Sequence, residues 1–271
     1  MVTLSFVIPV YNEENRIGKT LEALDKELIF DGVKLEKVYF VDDGSKDRTV
    51  KKIQDWIDRK AKKPVKAIKT KTGVEYEIIS YANNRGKGYA VKQGMKASAS
   101  DYTLFFDADM STPIEELHKF VPFMKKGVDL IIGTRKNGHS TVIKHQPHYR
   151  ELLGRGFTLL SNIILNTWVT DFTCGFKAFS KDAKEKVFEQ AVIDRWSYDA
   201  EIVYIANKLG YTIKEVAVVW SNDAQSKVNL LNDIPTTLFD LLKIRFSSSY
   251  TFSPFASVKK ITNNFVGTVS E

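Results

Sequence analysis

The sequence predicts an α/β fold, a mostly parallel sheet flanked by helices, and three observations carry that expectation. Short apolar, β-branched runs alternate with segments whose apolar residues recur every three or four positions. Strand, helix and strand in series call for parallel pairing with helices on both faces of the sheet. The prominent polar clusters of the first half each follow a strand-like run, and open α/β sheets bind their ligands beyond strand ends.

Leu4-Ser5-Phe6-Val7-Ile8 reads as the first strand, stopped by Pro9, and Ile17, Leu21 and Leu24 place a helix between Glu13 and Lys26. Val38 to Val41 is a second buried strand, ended by Asp42-Asp43-Gly44-Ser45. Asp47 can cap a helix from Arg48 to Arg59 with Val50, Ile53 and Ile57 on one face. A strand over Tyr76 to Tyr81, a helix over Gly88 to Ala99 and a strand over Tyr102 to Phe106 repeat the unit. The lysine-rich stretch from Lys60 to Lys71, broken by Pro64, reads as a solvated loop or hairpin. Asn137 to Arg150 is basic and holds His139, His145 and His148 without metal-ligand spacing, so a mobile substrate loop is expected. Beyond Asn229, a leucine-rich segment with few charges is either a helix packed on the core or one lying on a bilayer. The expected organisation is a main domain over 1–228 and a C-terminal amphipathic, membrane-associated extension over 229–271 with a polar tail from Ser253.

A length of 271 residues suffices for one large core. The net charge of +7 favours an anionic partner. Cys174 is the only cysteine, which excludes an internal disulfide framework and a multi-cysteine zinc site; it is expected to pack as a small apolar group. The first residues lack the features of a signal peptide, and no run of about 18 apolar residues occurs. Membrane contact is therefore expected to be peripheral.

Asp107 and Asp109 follow Thr103-Leu104-Phe105-Phe106, and continued strand geometry puts both carboxylates on one face. Paired carboxylates repel unless they share a proton or a cation. Mg²⁺ or Mn²⁺ suits them, because these ions take carboxylate oxygens while holding substrate phosphates. Asn84-Arg85-Gly86-Lys87-Gly88 precedes a helix, where loop amides, a lysine and the helix dipole favour phosphate. The sequence contains neither a G-x-x-x-x-G-K-[ST] loop nor a G-x-G-x-x-G fingerprint, which argues against P-loop kinases and nicotinamide enzymes. Asp42-Asp43-Gly44-Ser45 and Asn12-Glu13 are open to two readings each, as caps or turns and as contacts to a base or ribose.

Ile8-Pro9-Val10-Tyr11-Asn12-Glu13, Val41-Asp42-Asp43-Gly44-Ser45, Asn84-Arg85-Gly86-Lys87-Gly88 and Asp107-Ala108-Asp109 occur in that order. Together they resemble family 2 glycosyltransferases, whose fold is the Rossmann-like GT-A. Asp171-Phe172-Thr173-Cys174-Gly175-Phe176-Lys177, Arg195 to Glu201 and Ser226-Lys227-Val228 narrow the resemblance to polyprenyl-phosphate glycosyltransferases. Met110 to Pro113 and Val219-Trp220-Ser221 are most similar to the dolichyl-phosphate β-glucosyltransferases among these.

The resemblance implies an inverting transfer of glucose from UDP-glucose to a polyprenyl or dolichyl phosphate, giving a β-linked sugar lipid. It implies that Pro9, Tyr11 and Glu13 line the nucleoside pocket with Asp43 near the base, that Gly86 and Lys87 meet the pyrophosphate, and that Asp107 and Asp109 hold donor and metal. Arg135, Arg155 and Lys227 are expected at the acceptor phosphate, since a guanidinium fork pairs two phosphate oxygens. Asp171 is the third catalytic candidate, as a base or as a positioner of the acceptor; an acceptor phosphate is already anionic near neutral pH, which favours positioning. The expected location is peripheral, on the cytoplasmic face of a membrane. Two rivals stand beside this reading: a GDP-mannose-dependent polyprenyl-phosphate mannosyltransferase, and a non-catalytic nucleotide-sugar-binding module at a membrane surface. No continuous basic patch with stacking aromatics is visible, so no nucleic-acid partner is expected.

Overall fold

A computed structural model describes residues 1–26, 28–62, 73–222 and 230–252. Most of the lysine-rich stretch, Ser226-Lys227-Val228 and the tail from Ser253 lie outside the described residues.

The chain alternates as the apolar pattern requires: β1 (Val2–Val10), α1 (Ile17–Asp25), β2 (Val33–Asp42), α2 (Thr49–Lys62), β3 (Glu75–Ser80), α3 (Lys87–Ala97) and β4 (Tyr102–Phe106). A 3₁₀ turn (Ile114–Lys119) and the short α4 (Val121–Lys125) lead to β5 (Leu130–Thr134), β6 (Thr141–Lys144) and α5 (His148–Leu165). The remainder is β7 (Phe176–Ser180), α6 (Lys181–Gln190), α7 (Tyr198–Lys208), β8 (Ile213–Ala217), β9 (Val219–Ser221) and α8 (Leu230–Phe246).

Seven strands form the main sheet in the order β3-β2-β1-β4-β7-β5-β8, parallel except for β7, which is antiparallel to both neighbours. β1 alternates between two cores. Leu4, Phe6, Ile8 and Val10 face α1 and α2 through Ile17, Leu21, Ile53 and Trp56; Val7 faces α3, α6 and α7 through Val91, Met95, Val187 and Val203. Both sheet faces are thus covered, as a parallel sheet demands.

Two expectations change. Pro9 does not stop β1: it pairs with Val41 on the β2 side, while β4 accompanies β1 only from Leu4 to Val7. Proline lacks a donor but is tolerated where one side of the strand is unpaired. The stretch from Asn137 to Arg150 is not wholly irregular, because β6 forms a two-stranded parallel sheet with β9 and α5 begins at His148. That partner lies more than seventy positions away and is invisible to local pattern. The C-terminal leucines divide their roles: Leu241 and Ile244 of α8 enter the second core, and the helix packs on α5 and α7.

Candidate active site

A cavity of about 1840 Å³ is lined by residues that follow β1, β2, β4 and β5, and by α5. Pro9, Tyr11, Glu13, Asp43, Gly86, Lys87, Asp107, Asp109, Arg135 and Arg155 all lie on its wall. Residues far apart in sequence meet there because parallel strands end at the same edge of the sheet.

The first two motifs lock each other. Asn12 adopts a left-handed backbone with φ 49°. Its amide donates to Ser45 Oγ at 2.9 Å and its Oδ1 accepts from the Lys46 amide at 2.8 Å. The Glu13 amide donates to Thr49 Oγ1 at 2.7 Å. Glu13 lines the cavity, but its carboxylate accepts both arms of the Arg16 guanidinium at 2.6 Å. This pairing carries Arg16 Nη1 to 3.9 Å from Asp109 Oδ2. Sequence reasoning passed over Arg16; the spacing of three between Glu13 and Arg16 was the available signal.

Asp43 organises the loop that precedes α3. Its Oδ1 accepts the Arg85 amide at 2.8 Å, and its Oδ2 accepts the Gly86 amide at 2.8 Å and Asn84 Nδ2 at 2.7 Å. The amides of Arg85 and Gly86, expected to face phosphate, are therefore spent on a buried carboxylate. Gly86 is required for another reason. Its φ is +115°, and a Cβ there would lie 2.5 Å from the Asp194 carbonyl oxygen. The charged group this loop brings to the cavity is Lys87, whose ammonium is ion-paired with Asp107 Oδ1. Burial opposes its charge, but Asp107 and Asp199 outweigh that and hold its pKa above the ordinary lysine value.

Antiparallel pairing of β7 with β4 sets Gly175 beside Asp107, whose amide donates to the Gly175 carbonyl at 3.2 Å. A Cβ on Gly175 would fall 2.3 Å from Asp107 Oδ2, so the carboxylate occupies the space a side chain would fill. Asp109 Oδ1 accepts the Ser111 amide at 2.9 Å. Burial, then repulsion from Asp107, raises the pKa of Asp109. No cluster of three or more His, Cys, Asp or Glu side chains able to hold a metal occurs among the described residues. Two carboxylates nonetheless fit Mg²⁺ or Mn²⁺, ions that complete their shell with phosphate oxygens and water. The raised Asp109 is a group whose ionised form a cation would favour.

Beneath this cluster lies a buried pair that the sequence did not single out. Lys177 Nζ is 2.5 Å from Asp199 Oδ1 and donates to the Cys174 carbonyl at 2.7 Å. Burial pushes the Asp199 carboxyl up, against the pull of Lys177 and Lys87. Lys177 is thereby satisfied without contacting Asp107, leaving Lys87 as the cation on that carboxylate.

A second group of cations follows β5. Arg135 Nε and Nη2 donate to Asp171 Oδ2 and Oδ1 at 2.7 and 2.9 Å, and Nη2 also reaches Thr173 Oγ1 at 2.8 Å. The Arg135 guanidinium lies 5.1 Å from the Trp220 ring centroid. Lys136, absent from the sequence-derived candidates, lies 3.6 Å from Asp171 and donates to the Gly154 carbonyl and Thr158 Oγ1 of α5. Burial lowers its pKa. Asp171 is wholly buried and, unlike Asp107 and Asp109, is not part of the cavity wall. Burial alone would raise its pKa, but Arg135 and Lys136 hold it well below the carboxylate range. Arg155 is exposed on α5 at the cavity wall. Lys227 lies outside the described residues.

Cys174 is buried, and burial pushes its thiol up to about 11. Glu201 serves the packing of the chain. It is buried and accepts the amides of Val192 and Ile193 and the Tyr250 hydroxyl.

Residues 5–188 match glycosyl transferase family 2. The chain belongs to this family. It is 30% identical over 254 residues to dolichyl-phosphate β-glucosyltransferase of Dictyostelium discoideum, covering 90% of this chain and 74% of that protein. The fold matches crystal structures of glucosyl-3-phosphoglycerate synthase from Mycobacterium tuberculosis. The complex with UDP has a TM-score of 0.60 at 19% identity, covering 90% of this chain and 80% of that one. The complex with Mn²⁺, UDP and glucosyl-3-phosphoglycerate has a TM-score of 0.56 at the same identity and coverage. The family 2 glycosyl transferase is therefore an enzyme with the GT-A architecture that its motifs resemble. No helix of the described residues is long and apolar enough to cross a membrane.

Proposed function

We propose that this glycosyl transferase moves glucose from UDP-glucose to a polyprenyl or dolichyl phosphate with inversion at the anomeric carbon. The observation that carries the reading is the polarity of one cavity. Carboxylates and Lys87 gather where β4 ends and α3 begins, Arg135 and Lys136 follow β5, and Arg155 rides with the leucines on α5. The first half suits a nucleoside diphosphate; the second suits a phosphate carrying a hydrocarbon chain. The relative from Dictyostelium discoideum bears the name of that reaction.

Pro9, Tyr11, Glu13 and Asp43 hold the nucleoside, Asp43 acting through the loop it organises. A phosphate oxygen of the acceptor attacks the anomeric carbon, the bond to the diphosphate oxygen breaks, and its electron pair leaves with UDP. Lys87 and Arg16 supply positive charge toward the departing diphosphate. A divalent cation held by Asp109 and Asp107 would neutralise diphosphate charge. The acceptor phosphate needs no strong base, and Asp171 acts as a positioning residue that holds Arg135 and Lys136 in place. Lys227 joins the acceptor cations in this reading. The domain spans 1–228, the extension 229–271 approaches the lipid, and the enzyme works peripherally at the cytoplasmic face of a membrane.

The test is product identification by mass after incubation with Mg²⁺ or Mn²⁺, a panel of UDP- and GDP-sugars and short polyprenyl phosphates. A β-linked glucosyl lipid phosphate from UDP-glucose is expected. Product from GDP-mannose alone overturns the donor, and tight UDP binding without release from any UDP-sugar overturns catalysis.

A further inference from the structure

Helix α5 is apolar toward solvent as well as toward the core. At about 100° per residue, Thr158, Ser161, Asn162 and Leu165 fall on one side and are buried. Tyr149, Leu152, Leu153, Leu159, Leu160 and Ile163 fall within an arc of about 120° on the opposite side. All six are exposed, Leu152 at 71% and Ile163 at 60%. A helix resting on a protein surface ordinarily turns charge outward. The one acidic side chain of α5, Glu151, is bound to His145 at 2.8 Å. On the neighbouring α8, Leu241 and Ile244 are buried, whereas Leu238, Phe239, Leu242 and Phe246 are exposed. The helices pack on each other, and Leu159 and Leu238 both line the cavity, so the two apolar faces meet at its mouth.

We propose that the α5–α8 face docks on an anionic lipid bilayer and lays the cavity mouth against it. The choice of a bilayer rests on the lipid-phosphate acceptor proposed above. Lys144, Arg155, Lys243 and Arg245 are exposed on or beside these helices, the charge complement of anionic headgroups. Trp168 and Trp196 are exposed and line the same mouth, and the indole, apolar with one N–H, suits a lipid–water boundary. The inner side of α5 accepts Lys136 through Gly154 and Thr158, and Lys136 borders Asp171. Lys136, on the inner side of α5, therefore lies one helix thickness, about 10 Å, below the proposed contact. A lipid phosphate reaches it with little of its chain drawn into water. A second copy on this face would instead block the mouth and bring the same four cations together, which like-charge repulsion opposes.

The experiment is flotation of the full chain with phosphatidylcholine vesicles containing phosphatidylglycerol. It compares wild type with the triple variant I163E/F239E/F246E, whose three side chains are exposed and lie outside the cavity wall. A thermal melt verifies that the variant folds. Wild type should float and be released by salt, and the variant should bind at least tenfold more weakly. Turnover of a short, water-soluble prenyl phosphate should be unchanged in the variant, while turnover of a long-chain phosphate in vesicles falls about as far as binding. Loss of flotation in the variant with no turnover of either phosphate leaves docking standing and removes the acceptor reading. Equal flotation of the two proteins overturns docking, as does a wild-type dimer that ignores vesicles and is dissolved by the triple variant.

Discussion

The two ends of the cavity are carried by different kinds of element. Asp43, Asp107 and Asp109 follow buried strands, each within a few residues of a β-ladder. Arg155 and the leucines of the opposite wall ride on α5, a helix with one face in water. A strand end surrounded by core on both faces fixes a carboxylate with little freedom, which suits the charge-sensitive half of a transfer reaction. A surface helix presents a longer, looser wall, which suits a chain-like acceptor. Arg135 and Lys136 join the two regimes: they follow β5, yet Lys136 is tied to the backbone of α5.

Replacements at the two ends should differ in size and kind. Asp109→Ala should lower kcat on the order of 100-fold or more, the scale of losing a contact made to developing charge, with unfolding by urea little changed. Wild-type turnover in this variant would remove Asp109 from the donor end. Next in size is Asp171→Asn, which leaves Arg135 facing a neutral partner in a buried setting and should cost about 3–5 kcal/mol of stability. Its pH dependence has a definite sign. Folded Asp171 holds its proton less tightly than the unfolded chain, whose ordinary value is 3.8. The stabilisation is therefore complete above that value and is lost as pH falls through the lower folded one. The stability gap between wild type and variant should be widest at neutral pH and narrow in strong acid; a gap that widens in acid contradicts the pairing.

Gly175→Ala tests the proposed donor role of Asp107 by shape alone. The added methyl displaces the Asp107 carboxylate, and kcat should fall roughly 10-fold, less than the largest effects of a misplaced group, with acceptor KM unchanged. Arg155→Ala should be mildest, since the side chain is exposed: acceptor KM rises by about 3–10-fold, an effect near 1 kcal/mol, while the KM for UDP-glucose stays put. If Arg155→Ala instead weakened the donor, the division of the cavity into two ends would be wrong.

Much of the carboxylate cluster was legible because its information is local. A β-branched run followed by Asp-x-Asp, or by Asp-Asp-Gly-Ser, states in a few residues both the strand and the group at its end. The cationic cluster was less legible. Arg135 and Arg155 were visible as arginines, but Lys136 earns its place through α5, and Lys177 and Asp199 through each other across 22 positions. Pairings of that range leave no periodic trace.

What the sequence by itself determined is the alternating α/β order, the covered sheet and the carboxylate motifs at its edge, because helix and strand periods and turn chemistry act over a few neighbouring residues. Only the tertiary structure decided how those groups are used. It turned the Arg85 and Gly86 amides toward Asp43, sank Asp171 beneath Arg135 and Lys136, and left the outer face of α5 apolar and uncovered. Burial and the identity of a partner belong to the packed chain, and they set whether a charged group meets solvent, substrate or another charge.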